Sequence, residues 1–238
     1  MKRTDLHLVL LADLVASRGA RDRARLSGLI HGAIEAANAA LGDALAVPMT
    51  LTKGIDELSA VVSDAGRAFD ACVELNLALR RLGLDGQAGQ PAKRFRFAVA
   101  WGEIDVWPRG TRDAGELDGS AFHEAAAALA RAKRRDLPFA IAVPDASGAA
   151  IERATAIVEV TAAMHQAILD GWTKTETVTA LAARTFTEFT QADLASELGV
   201  SQQAVSATLR RAKEATLRSA EQAIAGMLVQ IDLYHRAR

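Results

Sequence analysis

Leu51-Thr-Lys-Gly-Ile-Asp-Glu-Leu-Ser-Ala-Val-Val62 decides how this chain is read. Both ends have the character of β-strand, and between them lie Gly54 and two adjacent acids, Asp56 and Glu57. The simplest reading is a hairpin joining strands over Ala46 to Thr52 and Leu58 to Val62. Upstream, His7 to Asp13 is a short apolar run ending in an acid, as in a buried strand. Between that run and the hairpin, Leu26, Leu29, Ile30, Ala33, Ile34, Ala37 and Leu41 recur at helical spacing from about Arg23, and Gly42 is the stop.

Downstream, Ala68 to Leu82 returns to helical spacing and a Gly/Gln/Pro stretch, Gly83 to Pro91, reads as a loop. Phe95 to Trp101 alternates as a strand expected to continue past Gly102 to Val106. Pro108 to Gly119 is irregular, Ala121 to Lys133 helical, and Phe139 to Val143 a strand cut off by Pro144. The order is β-α-β-β-α-β-α-β, whose first six elements are the split βαβ, ferredoxin-like arrangement. From Ala149 every segment reads helical. The fold class expected is therefore α+β: a ferredoxin-like domain over 1–147, then an all-α domain over 148–238.

The bulk numbers agree with a globular chain. It has 238 residues, half of them hydrophobic and 24% charged, enough to bury a substantial core. A net charge of −1 argues against wholesale wrapping of nucleic acid but leaves room for a local basic face. The single cysteine, Cys72, excludes an internal disulfide and sits in an apolar helical pattern. With no membrane span or secretory leader legible, the expected location is cytoplasmic. The five histidines show no ligand spacing, and Trp101 and Trp107 read as packing residues.

Residues 190–211 carry a second motif. Thr190 can cap a short helix whose inner side is Leu194, Ala195 and Leu198, with Ala195 small so that another helix can cross closely. Gly199 supplies a left-handed turn, Ser201 caps the next helix, and Val205 and Leu209 point back into the core. This is helix-turn-helix grammar. Gln202, Gln203, Ser206 and Arg210 then lie on the outward side of the second helix. Gln and Ser suit base edges, whereas Arg210, Arg211 and Lys213 suit phosphates. Thr190 and Gln191 could offer amides to a phosphate. The positive charge here is small, so a homodimer reading two half-sites is expected. The tail helix from Lys213 to Tyr234 could pack on the first domain or form the dimer seam.

In a split βαβ the hairpin between strands two and three lies at the edge where strand one ends. Asp13, Asp56 and Glu57 should thus share that edge. Such a cluster is costly unless a cation neutralises it, and Mg²⁺ is the hard-oxygen choice.

Leu11-Ala-Asp-Leu-Val-Ala-Ser-Arg18, Thr52-Lys-Gly-Ile-Asp-Glu-Leu58, Phe97-Ala-Val-Ala-Trp-Gly-Glu103 and Asp118-Gly-Ser-Ala-Phe-His123, followed by the helix-turn-helix, resemble the SatD family. The first domain is also similar to the class III nucleotide cyclase and GGDEF fold. That resemblance implies two metal ions on a nucleoside triphosphate, held by an acid ending strand one and another on the hairpin: Asp13 with Asp56 or Glu57. The chain departs from the pattern at Ile55 and at Leu58-Ser59. His123 and Ala127 stand where a cyclase helix carries Asn and, four residues on, Arg; Arg131 is a turn further. Without those groups the cyclase's electrostatic catalysis is incomplete, so no catalytic residue is assigned. The expectation is a DNA-binding transcription regulator with a degenerate cyclase-like sensing or dimerisation domain. The alternative is a Mg-dependent enzyme that binds or converts a nucleotide.

Overall fold

The computed structural model describes residues 6–15, 23–84, 93–143 and 148–237. Five strands, β1 (His7–Leu14), β2 (Leu45–Lys53), β3 (Glu57–Val62), β4 (Phe95–Gly102) and β5 (Phe139–Ala142), form one sheet in the order β2-β3-β1-β4-β5. β3 runs antiparallel to both β1 and β2, β4 antiparallel to β1, and β5 parallel to β4. The first strand is therefore parallel to the second with the third between them, as the hairpin reading required. The chain has an α+β, ferredoxin-like fold.

Alternation along β1 divides the sheet into two faces. Leu8, Leu10, Ala12 and Leu14 join the main core, whereas Val9 and Leu11 belong to smaller clusters on the other side. The first face is covered by α1 (Arg23–Leu41) and α2 (Ala68–Leu79), as the split βαβ dictates. The other is covered by α3 (Ser120–Arg135) through Ala121, Ala125, Ala128 and Ala132. Alanine at these positions lets the helix lie close on the strands. With both faces covered, all eight residues of β4 are buried, Arg96 included. β4 stops at Gly102. In place of the expected continuation to Val106 there is an isolated bridge between Val106 and Asp118.

The helical half contains α4 (Ala149–Asp170), α5 (Lys174–Thr185), α6 (Gln191–Leu198), α7 (Gln202–Arg211) and α8 (Glu214–Arg236). Val158, Ala162 and Leu169 of α4 and Leu217, Ile224, Leu228 and Ile231 of α8 belong to the same core cluster as the sheet. Of the two places open to the tail helix, it takes the first domain: Trp101 Nε1 donates to Asp232 of α8 at 2.9 Å, and the Trp101 ring stacks on His235. α4 and α8 lie side by side and antiparallel, joined by His165 to Glu221 at 2.7 Å and by Trp172 Nε1 to the Ala212 carbonyl at 2.9 Å. Among the described residues, no helix is long and apolar enough to cross a membrane.

Candidate functional site

Asp13 ends β1. In register it lies opposite Glu57 of β3 on one side and Arg96 of β4 on the other, so all three share the α3 face. α3 follows β4 and runs back along it, which brings its C-terminal turn to this edge. There Lys133 Nζ lies 2.7 Å from Asp13 and 3.9 Å from Glu57. Arg96, almost wholly buried, donates to the Leu137 carbonyl at 2.8 Å and pairs with Asp136. Arg131 donates to the Ile141 carbonyl at 2.9 Å and pairs with Glu159 of α4.

The fold thus brings Asp13 and Glu57 to one lysine. Asp56 precedes Glu57 in the turn and does not join that pair. Its carbonyl accepts from the Leu14 amide at 2.7 Å, and its Oδ1 is buried without a hydrogen-bond partner. Among the described residues, no group of three or more His, Cys, Asp or Glu side chains gathers to hold a metal ion. Lys133 supplies the positive charge that the sequence argument sought from Mg²⁺. Its ammonium stands near both carboxylates and balances their charge in this arrangement. His123, exposed, has its Nε2 3.4 Å from Asp118, and Ala127 is exposed. Ser17, Arg18 and Gly19, readable as a phosphate-touching loop, lie outside the described residues.

The second candidate lies on α6 and α7. Thr190 caps α6 in a reciprocal box with Asp193: its hydroxyl accepts from the Asp193 amide, and the Asp193 carboxylate accepts from the Thr190 amide at 2.8 Å. The Thr190 hydroxyl and amide hold the Asp193 carboxyl below its ordinary range. That carboxylate occupies the helix start where a phosphate was expected. Gln191 beside it is exposed. Gly199 is left-handed at φ 66°, and Ser201 Oγ accepts from the Ala204 amide at 3.2 Å to open α7.

Leu194, Ala195 and Val205 form a small core with Ala182 and Ala183 of α5 beside it. Val205 and Thr208 are the buried residues of α7. Gln202, Gln203 and Arg210 are exposed and Ser206 is half-buried. Arg211 leans back toward α5, donating to Thr208 Oγ1 at 3.1 Å and lying 3.7 Å from Glu176. α7 contains no acidic residue.

A buried ionic cluster, invisible in the sequence, fixes this three-helix unit to the body. Arg184 of α5 pairs with Glu214 at 2.9 Å and Glu221 at 2.8 Å, both on α8, and Glu221 also meets His165 of α4. Burial pushes the Glu221 carboxyl up, but hydrogen bonds from His165 and Arg184 outweigh it and hold the group below its ordinary value of 4.5. Burial raises the nearby Asp70 and Glu74.

No protein-family model matches the chain, and no curated protein sequence does. Among solved structures, the guanylyl cyclase Cya2 superposes at a TM-score of 0.40 and 17% identity, over 53% of this chain and 70% of that one. A bacterial light-regulated adenylyl cyclase gives 0.40 and 15%, over 57% of this chain and 42% of its own length. The GGDEF domain of the PA2567 protein from Pseudomonas aeruginosa gives 0.36 and 18%, over 60% and 87%. The chain spans less than half of the light-regulated cyclase. At these values the likeness concerns fold and says nothing of activity.

Proposed function

We propose that this chain is a DNA-binding regulator that presents α7 to the major groove, on a cyclase-like body that performs no cyclase chemistry. The observation that carries the reading is the outer side of α7, where Gln202, Gln203 and Arg210 stand exposed and uncommitted among the described residues. α6, the left-handed Gly199 turn and α7 follow the order of a helix-turn-helix, whose second helix meets base edges with its N-terminal residues. Ser201, Gln202, Gln203 and Ser206 take that role, and Arg210 takes phosphate, with Arg211 adding charge. A SatD-like kinship and a cytoplasmic location belong to the same reading. In the body, Arg131 is paired with Glu159 and Lys133 with Asp13, so among the described residues these two cations are already engaged.

The test is retention of fragmented genomic DNA by the full chain at low salt, followed by sequencing of what is retained. Gln203→Ala with Arg210→Ala should weaken retention by at least about tenfold, each base or phosphate contact contributing about 1–3 kcal/mol. Retention unchanged by that pair of substitutions would end the proposal.

One observation favours a second reading, a nucleotide site at the acidic edge. The buried, unpartnered Oδ1 of Asp56 lies on the hairpin beside Asp13 and Glu57, and Lys133 is exposed enough to swing away. On this reading the chain with ATP or GTP and Mg²⁺ or Mn²⁺ gives a new nucleotide product that Asp13→Asn abolishes. Absence of turnover and of nucleotide binding at high protein concentration would remove it.

A further inference from the structure

α4 is buried along one side only. Its opposite side carries Ile157, Val160 and Met164, which are 54%, 60% and 66% exposed and lie one helical turn apart. Together they form an apolar ridge at the centre of a long helix, where a soluble surface would place charge.

The neighbouring α8 shows the complementary shape. His165 meets Glu221, and Trp172 meets the Ala212 carbonyl, so this antiparallel pair sets Val160 level with Gly226. Gly226 lies in the interior of α8, where glycine costs about 1 kcal/mol relative to alanine. A side chain added at Gly226 would meet nothing within 4 Å. Nothing in the chain's own packing asks for a glycine at that point. Ridge and trough thus lie side by side on one outward face.

We propose that a second copy of this chain covers the face, about a two-fold axis running along the α4–α8 pair. Such an axis exchanges left and right but preserves height, so the ridge of each copy enters the trough of the other. Val160 of one copy then meets Gly226 of its partner, and the contact is made twice, as an isologous interface requires. The area agrees. A 22-residue helix is about 33 Å long, and two helices packed about 9 Å apart present a face about 20 Å wide, roughly 650 Å². A stable dimer buries about 600–1,000 Å² on each partner. The inference rests on α4 and α8 alone and does not depend on the DNA reading.

Sedimentation equilibrium of the full chain between 1 and 100 μM should give twice the chain mass. Val160→Glu places an unpaired charge at the seam and should weaken association at least about 100-fold, with the helical circular dichroism unchanged. Independently, a Val160→Cys chain mixed with a Gly226→Cys chain should yield a crosslink between the two in preference to either self-crosslink. A monomer at every concentration overturns the proposal and leaves the ridge to some other partner. A dimer that ignores Val160→Glu, or forms no 160–226 crosslink, overturns it equally.

Discussion

Gly102 shows how tightly α3 is seated. A methyl group at Gly102 would lie 2.5 Å from the Ala121 amide nitrogen and 2.7 Å from its Cα, both backbone atoms that cannot rotate away. Gly102→Ala must therefore lift the start of α3 from the sheet, and it should cost about 2–3 kcal/mol. Urea unfolding would show this as a lower midpoint at unchanged slope. An unshifted midpoint would mean that α3 is free to settle elsewhere. Lys133 teaches a different lesson at the same scale. Asp13, Asp56 and Glu57 were legible as an acidic edge because topology alone brings strand one and the hairpin together. Lys133 was equally placed by topology, since α3 runs back toward that edge. In sequence it is one charge among several in the run Arg131 to Asp136. A charge run does not reveal which member turns inward.

Among the elements, α8 carries the most interactions that periodicity could not assign. Its apolar spacing marked it as a packed helix, but spacing says nothing about which surface receives it. Trp101 and His235 decide that, with Asp232 accepting from the indole. Glu221 then ties α8 to α4 and α5. Glu221→Gln leaves Arg184 with Glu214 as its one salt-bridge partner among the described residues and should destabilise the fold by about 2–3 kcal/mol at pH 7. The sign of the pH dependence follows from the depressed carboxyl. Its stabilisation is fully present above the ordinary carboxylate value of 4.5 and fades as pH falls through the lower folded value. Acidification below about pH 4.5 should therefore narrow the gap between native chain and variant, as read by thermal midpoints at successive pH values. A constant gap would place the effect of Glu221 in packing instead. α1 shows the opposite case: its expected end, Leu41, is the one observed, because the apolar stripe stops there and a glycine follows.

In the whole molecule, element types change near residue 147 while the apolar core does not. On one sheet face α1 packs over β2 and α2 over β4, where Asn76 bonds the Phe95 backbone, and α4 beside β5 and α8 over Trp101 complete the cover. The strand order was legible because a hairpin and an intervening helix permit few arrangements. The joining of the two halves was not, since α4 and α8 show apolar stripes that would serve a separate bundle as well.

The sealing of Trp101 by α8 has a consequence for synthesis. The residues that close over the indole are made some 130 positions after it, about ten seconds at typical ribosomal speed. For that interval the nascent sheet keeps a bare greasy flank turned to its surroundings. A chain that stops before Glu214 lacks α8 and leaves that flank open.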